Sequence, residues 1–297
     1  MRHTLPHRPA SPRGGLCGRM LLLVLACATP EDSGPVYDPD PIVIIGGDRP
    51  AAVTLPANYS VDRTWPLVVL LHGYGASGAI QDLVFGLGER VDELGFVLVV
   101  PEGTKDTDGN AFWNATPECC DFGNTGVDDV AYLTALIDEA EARYPVSTVR
   151  LVGHSNGGYM SYRMACEVPE RLDRIAVLAG AVYADESDCH GTEPVSVLHI
   201  HGTLDDSVAY DSTEGHAGAE ESVGRWVEKA GCGATPAVLE SRDYLDQVDG
   251  SETSASQWSG CAGGRDLQLW TATGGDHLWF PTLDAFKDDV AAWLVTD

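Results

Sequence analysis

The chain has 297 residues, of which 44% are hydrophobic, and this is enough to bury the core of one α/β domain. Acidic residues number 45 against 18 basic ones, so the formal net charge is −27 at pH 7. This charge repels phosphate backbones and anionic polymers, and it excludes nucleic acid as an expected partner.

The N-terminal segment predicts an export signal over residues 1–26. It contains no acidic residue, and an apolar run from Met20 to Ala26 follows its four arginines, Arg2, Arg8, Arg13 and Arg19. The apolar run is too short to span a bilayer. Because the sequence Val-Leu-Ala-Cys at 24–27 resembles a bacterial lipobox, a lipid on Cys27 would be the chain's membrane contact. Small-residue cleavage sites fit the same region, so free secretion is the alternative to an outer-membrane lipoprotein.

Two regions follow the predicted signal. Residues 27–40 are rich in Pro, Asp and other polar residues and predict a disordered tether. From residue 41 to residue 297, short β-branched runs alternate with helix-length amphipathic stretches. This alternation predicts one catalytic domain of the α/β class, with a mostly parallel central sheet and helices on both faces.

The predicted elements of this domain follow in chain order. Strands are predicted at 42–45, 51–55, 67–71, 96–100, 149–153, 175–178, 195–200 and 267–271, the first two of them antiparallel. Helices are predicted in a stretch that ends near residue 94, at 129–144, around 159–166, and at 220–229 and 283–295. Residues 101–126 form a long loop, and loops of this length are commonly functional.

Six cysteines lie beyond the predicted signal and tether: Cys119, Cys120, Cys166, Cys189, Cys232 and Cys261. In an oxidising compartment they predict up to three disulfides. We expect Cys232 to bond to Cys261, because this pair brackets a polar stretch with little else to hold it, and we expect Cys119 and Cys120 to bond to different partners. A zinc site is disfavoured because no C-x-x-C pair is present.

A candidate nucleophile lies in Gly153-His154-Ser155-Asn156-Gly157, which matches the pattern G-x-S-x-G. The bare pattern is weak, but here an apolar strand leads into it and a helix leads out. That context is typical of the tight turn that exposes a serine hydroxyl above the sheet in the α/β-hydrolase fold. The pattern therefore predicts Ser155 as nucleophile.

A serine nucleophile requires a base and a group that orients the base. In this fold the chain order is Ser, then acid, then His, with the last two on loops after later strands. His277 follows the strand at 267–271 and is the predicted base. Asp205 follows the strand at 195–200 and is the predicted acid. Asp206 is the alternative acid.

Two backbone N–H groups are expected to stabilise the oxyanion, those of Asn156 and of Tyr74 in the loop His72-Gly73-Tyr74-Gly75. Trp113 and Trp279 lie on loops and are predicted to contact the substrate, with core packing as the alternative.

His199 and His201 lie two apart on one predicted strand and would share a face. Without a third ligand at suitable spacing, they favour a structural role over a metal site. No metal and no cofactor are expected.

Together these residues resemble the polyhydroxybutyrate depolymerase and feruloyl esterase-like family of exported α/β hydrolases, over about residues 48–290. The motifs that carry the resemblance are Leu71-His72-Gly73-Tyr74-Gly75, Cys119-Cys120 with Val127-Asp128-Asp129-Val130, Gly153-His154-Ser155-Asn156-Gly157-Gly158, His199-Ile200-His201-Gly202-Thr203-Leu204-Asp205, Trp226 ahead of Cys232, and Gly275-Asp276-His277-Leu278-Trp279. The resemblance implies a triad of Ser155, Asp205 and His277 that acts on extracellular ester bonds. Asp206 and Phe280 depart from the family pattern, and both concern the pocket rim more than the chemistry.

The sequence thus predicts a serine carboxylic-ester hydrolase that acts through an acyl-enzyme on short polyhydroxyalkanoates or on feruloyl or acetyl esters of polysaccharides. A serine peptidase would use the same triad, but no substrate-gating domain is evident. A non-catalytic binding protein on this fold would be expected to lack a triad member, and here every position is filled.

Overall fold

The computed structural model describes residues 44–278 and 284–296. The predicted signal, the tether and Trp279 lie outside the described residues. Numbered in chain order, the strands are β1 Ile44–Ile45, β2 Ala51–Thr54, β3 Trp65–Leu71, β4 Val97–Val100, β5 Thr104–Lys105, β6 Ala111–Phe112, β7 Val146–His154, β8 Arg174–Leu178, β9 Ser196–Gly202, β10 Ala237–Val238, β11 Thr253–Trp258 and β12 Leu267–Ala272. The α-helices are α1 Gly78–Phe85, α2 Val91–Leu94, α3 Asp129–Arg143, α4 Asn156–Glu167, α5 Ala219–Lys229 and α6 Asp284–Val295.

Within the described residues, ten of the strands form one sheet in the order β1-β2-β4-β3-β7-β8-β9-β12-β11-β10. The six central strands, from β4 to β12 in this order, pair in parallel. The outer strands at both edges pair antiparallel. Continuous apolar runs such as Leu67–Leu71 suit the centre, because both faces of a parallel sheet are covered.

The two faces of the sheet pack into two separate cores. Along β3, Leu67, Val69 and Leu71 belong to the first core, and Val68 and Leu70 belong to the second. Helices α3, α4 and α5 contribute buried residues to the first core, and α1, α2 and α6 contribute to the second. The predicted mostly parallel sheet with helices on both faces is confirmed.

Local signals set the helix ends close to their predicted positions. The Asp128 side chain accepts a hydrogen bond from the Ala131 N–H at 2.9 Å and caps α3, which ends at Arg143 before Pro145. The helix-length stretch predicted to end near residue 94 is divided into α1, a short 3₁₀ turn and α2. Gly86, with φ 60°, ends α1 in the left-handed conformation that glycine adopts readily.

Four of the described strands were not predicted: the two-residue strands β5, β6 and β10, and the longer β11. β11 pairs antiparallel with β12 over six residue pairs, from Thr253 with Ala272 to Trp258 with Leu267. Its sequence, T-S-A-S-Q-W, lacks the alternation of large apolar residues by which strands are recognised. Near the sheet edge, small buried residues such as Thr253 and Ala255 are sufficient to fill its inner face.

Three disulfides connect the six cysteines beyond the tether. The predicted bond between Cys232 and Cys261 is confirmed, and a second bond joins Cys166 to Cys189. The expectation that Cys119 and Cys120 bond to different partners is wrong, because they bond to each other. The other four cysteines of the described part are already paired, so no other partner remains for either one. No helix among the described residues is long and apolar enough to cross a membrane.

Candidate functional site

Ser155 lies at the tight turn between β7 and α4. Its φ of 55° and ψ of −121° place a non-glycine residue in a disfavoured region of backbone conformation, which is typical of an exposed nucleophile at such a turn. The turn requires glycine at 157, because a Cβ there would lie 2.1 Å from the Leu71 carbonyl oxygen. The strand, the strained residue and the close helix together expose the Ser155 side chain at the carboxyl edge of the sheet.

The structure brings the three predicted triad residues together. His277 Nε2 lies 2.9 Å from Ser155 Oγ, and His277 Nδ1 lies 2.8 Å from Asp205 Oδ2. The three residues come from the carboxyl ends of β7, β12 and β9, which are parallel strands of one sheet. One hydroxyl, one imidazole and one carboxylate therefore form a hydrogen-bonded line.

The carboxylate of Asp205 is fully buried and fully hydrogen-bonded. Its Oδ1 accepts from the N–H groups of Ser207 at 2.9 Å and Val208 at 2.8 Å. Burial alone would raise the pKa of Asp205, but hydrogen bonds from His201, His277 and the Val208 N–H outweigh it and hold this pKa well below its usual range. Asp205 is therefore ionised at neutral pH, as an acid that orients an imidazole must be.

The alternative acid, Asp206, has a different environment. Its side chain is exposed and accepts a hydrogen bond from the Ser207 hydroxyl at 3.3 Å. His277 contacts Asp205, so the geometry favours Asp205 over Asp206.

The two predicted oxyanion donors flank Ser155. The Asn156 N–H is the first of α4, so it has no acceptor within the helix. Tyr74 lies in the loop after β3, where a Cβ on the preceding Gly73 would lie 3.5 Å from Ser155 Cβ. In the part of the chain that the structure describes, the Tyr74 N–H donates to no acceptor. Both groups are available to a negatively charged oxygen next to Ser155.

Trp113 does not lie at the pocket rim. It is fully buried, its indole N–H donates to the His72 carbonyl at 3.0 Å, and its ring stacks on Tyr132. The prediction that Trp113 contacts the substrate is therefore wrong, because its side chain has no exposed surface that a substrate could reach. The other predicted contact, Trp279, lies outside the described residues.

Sequence reasoning missed two side chains in this region, Phe122 against Tyr74 and His154 against His277. Phe122 is 65% exposed and packs edge-on against Tyr74, whose hydroxyl donates to Asp106 at 2.5 Å. His154 is buried, and its Nε2 lies 3.1 Å from the His277 carbonyl oxygen. Burial, and then the proximity of His277, lower the pKa of His154 to about 4, so the ring is neutral and its Nε2–H can donate to this carbonyl. Its place directly before Ser155 was the one signal available for it.

His199 and His201 lie on the same face of β9, as their spacing predicts. Their ring nitrogens lie within hydrogen-bond distance of each other and of neighbouring polar groups. Among residues 44–278 and 284–296, no group of three or more His, Cys, Asp or Glu side chains is arranged to hold a metal ion.

The chain is similar to known esterases. The Esterase family, described as "Putative esterase", matches residues 42–277. "Putative esterase NocK" from Nocardia uniformis subsp. tsuyamanensis is 27% identical over 84% of this chain and 77% of its own length. Feruloyl esterase D from Neurospora crassa is 27% identical over 79% of this chain and 75% of its own length.

A solved structure supports the fold. The acetyl xylan esterase from Aspergillus awamori superposes with a TM-score of 0.61 at 15% identity, over 83% of this chain and 94% of that one. The expected resemblance to feruloyl esterase-like hydrolases is confirmed, whereas its polyhydroxybutyrate depolymerase part stays a prediction. The family match over most of the described residues shows that the chain belongs to the esterase family and is a carboxylic ester hydrolase with the α/β-hydrolase fold.

Proposed function

We propose that this chain is a serine esterase that cleaves carboxylic esters through an acyl-enzyme on Ser155. The observation that carries the proposal is the line of hydrogen bonds from Ser155 Oγ to His277 Nε2, 2.9 Å, and from His277 Nδ1 to Asp205 Oδ2, 2.8 Å. In this arrangement His277 is the general base and Asp205 holds its ring in the tautomer that leaves Nε2 free to accept a proton.

The reaction proceeds in two acyl transfers. Ser155 Oγ attacks the ester carbonyl carbon while His277 Nε2 takes the hydroxyl proton, and the carbonyl electron pair moves to oxygen. The tetrahedral species collapses, the alcohol leaves with the proton from His277, and the acyl group stays on Ser155. Water then repeats the sequence, with His277 as base, and releases the carboxylic acid.

Negative charge on the tetrahedral oxygen requires fixed donors. The N–H groups of Asn156 and Tyr74 fill this role in our proposal, and the N-terminal end of α4 behind Ser155 adds a favourable dipole. Such donors commonly contribute on the order of a hundredfold or more in rate.

For the acyl group, we propose hydroxycinnamoyl or acetyl esters of polysaccharides. Two observations support this choice: a relative over most of the chain is a feruloyl esterase, and the exposed Phe122 ring stands against Tyr74 beside the proposed oxyanion donors. An exposed aromatic pair offers a surface on which an aromatic acyl group can pack. Short polyhydroxyalkanoates are the competing substrates.

We further propose that the protein acts outside the cytoplasm. Three disulfides support an oxidising compartment, and residues 1–26 have the layout of an export signal. Cleavage before Cys27 with lipidation would give a lipoprotein, and cleavage after a small residue would give a secreted enzyme.

The nucleophile is tested with a fluorophosphonate probe, which labels an activated serine. The wild type is expected to be labelled and to hydrolyse p-nitrophenyl acetate, and Ser155→Ala is expected to lose both properties. Ser161→Ala is the matched control. Ser161 is a buried serine on α4, the helix that follows Ser155, and its hydroxyl donates to the Gly157 carbonyl at 2.9 Å. Labelling of Ser155→Ala at the wild-type level would overturn the proposal.

The substrate class is tested with p-nitrophenyl acyl esters, methyl ferulate, acetylated xylan, hydroxybutyrate oligomers and the matching amides. Turnover of methyl ferulate or acetylated xylan above that of hydroxybutyrate oligomers is expected. Faster turnover of amides than of esters would instead indicate a serine peptidase.

A further inference from the structure

A buried row of polar side chains runs from α4 to the proposed catalytic acid. Tyr162 Oη lies 2.7 Å from His199 Nδ1, and His199 Nε2 lies 2.9 Å from His201 Nδ1. His201 Nε2 then lies 2.8 Å from the Val208 carbonyl oxygen and 3.3 Å from Asp205 Oδ2. Tyr162, His199 and His201 are all completely buried.

With His201 neutral, the acceptors at one end fix every hydrogen in this row. His201 Nε2 faces two oxygens that only accept, so it carries a hydrogen, and in a neutral ring its Nδ1 then has none. His199 must therefore donate from Nε2 and accept at Nδ1, where the Tyr162 hydroxyl donates. Burial lowers the pKa of His199 well below its ordinary value, with a smaller effect of His201, and raises that of Tyr162. Both groups are neutral.

Two other roles for this row of side chains are binding of a metal ion and packing of the core. A metal would need free lone pairs, but both nitrogens of each ring already face hydrogen-bond partners, and the two rings stack 5.2 Å apart at 10°. Packing alone does not explain the end of the row, because Asp205 Oδ2 is the same oxygen that binds His277 Nδ1 at 2.8 Å.

We propose that His201 is a positioning residue for Asp205, and that Tyr162 and His199 hold His201 in the tautomer this requires. The inference rests on the proposed esterase function. The His201 Nε2–H gives Oδ2 a second donor, which keeps the carboxylate ionised and aimed at His277. The same hydrogen bond withdraws part of the negative charge of the Asp205 carboxylate. The carboxylate therefore stabilises the protonated form of His277 less strongly.

The test compares His201→Phe, which removes the donor, with His201→Gln, whose amide nitrogen can donate from a similar place. His201→Phe is expected to lower kcat roughly 10- to 100-fold with little change in KM, the loss typical of a hydrogen bond to a charged group. His201→Gln is expected to retain most of kcat. Wild-type kcat in His201→Phe would overturn the inference.

The pH profile separates positioning from packing. The groups that face His277 are Asp205, Ser155 and His154, and those that face His201 are His199, Tyr210 and Asp205. Loss of the His201 donor leaves more charge on Asp205 facing His277. The acidic limb of kcat/KM is therefore expected to move to higher pH by roughly half a unit. An unchanged acidic limb would overturn the inference.

A milder pair of variants decides the question if His201→Phe fails to fold. Tyr162→Phe removes one hydroxyl from the row, and Tyr244→Phe removes one buried hydroxyl, bonded to Asp289, in the opposite core. A shift of the acidic limb in Tyr162→Phe alone supports the inference, and equal profiles overturn it. Failure of the esterase function is recognised separately, because the wild type would then show neither labelling nor ester turnover.

Discussion

The side chain of Asn156 and the backbone of Trp113 form a reciprocal pair of hydrogen bonds. The Trp113 N–H donates to Asn156 Oδ1 at 2.7 Å, and Asn156 Nδ2 donates to the Trp113 carbonyl at 2.8 Å and contacts Cys119 Sγ at 3.4 Å. Asn156 is fully buried. The residue whose N–H is proposed to stabilise the oxyanion is thus fixed by its own side chain to the loop at 101–126.

We expect Asn156→Ala to reduce both stability and rate, although the backbone N–H remains. The buried Trp113 N–H would lose its partner, while the Trp113 carbonyl would keep only the hydrogen bond from the Cys120 N–H at 3.3 Å. We expect a cost of about 1–3 kcal/mol in the free energy of unfolding. Loss of the two hydrogen bonds to Trp113 would let the backbone N–H of residue 156 shift, and kcat is expected to fall roughly tenfold. Urea unfolding and steady-state kinetics on p-nitrophenyl acetate measure the two effects.

Asn156→Asp distinguishes electrostatics from packing. It keeps the acceptor for the Trp113 N–H but places a negative charge near the developing oxyanion, so its kcat is expected to fall below that of Asn156→Ala. Asn114→Ala is the control in the same loop, since it removes one side-chain bond to the Val127 carbonyl, 2.8 Å, and should keep kcat. An aspartate variant as active as the wild type would show that Asn156 does not flank the oxyanion.

Asp205 is expected to make stability depend on acid pH. Because its pKa in the folded state is depressed, the ionised group stabilises the fold fully above its unfolded pKa, about 3.9, and this contribution is lost as pH falls toward the folded pKa. Asp205→Asn should therefore be less stable than the wild type near neutral pH, and the difference should shrink below about pH 4. Its kcat is expected to fall on the order of 10⁴-fold.

Chemical unfolding from about pH 3 to pH 7 measures this stability difference. Asp206→Asn is the control, because that neighbouring carboxylate is exposed. A stability difference between Asp205→Asn and the wild type that stays constant across the acid range would contradict the prediction.

The sequence was sufficient to predict the three residues of the hydrogen-bonded line, because a strained turn and a fixed chain order leave few choices. Between Asp205 and Asp206 it could offer only a preference, since the choice depends on which carboxylate turns inward to the Ser207 and Val208 N–H groups. The parallel core was also predictable, as long apolar runs have one common use in a covered sheet.

Other features depended on contacts that no local pattern contains. Nothing in the loop at 101–126 marks Trp113 as buried or Phe122 as exposed, because both follow from how the loop folds against Tyr74 and Asn156. β11 was missed because its inner face is filled by small residues. The link from His201 to Asp205 is invisible in a sequence that shows only two histidines on one strand.

Phe122 is expected to contribute to selection of aromatic acyl groups. Phe122→Ala should raise KM for methyl ferulate roughly 2- to 10-fold, the range for loss of one aromatic contact, and should leave p-nitrophenyl acetate kinetics nearly unchanged. Leu83→Ala is the control, since Leu83 is a 74% exposed apolar side chain on α1. An equal effect on both esters would show that Phe122 does not contact the acyl group.

The bond between Cys232 and Cys261 is expected to contribute to stability and not to catalysis. It joins residues 29 apart, from the end of α5 to the turn after β11, and both residues pack at the border of the first core. A loop of this length predicts a loss of about 3–4 kcal/mol in the free energy of unfolding when both cysteines are replaced by serine. Because neither residue contacts Ser155, His277 or Asp205, kcat at about 25 °C should be retained. Thermal unfolding of the double variant beside the wild type measures the loss, and a fall in kcat without a fall in Tm would show instead that this bond shapes the active site.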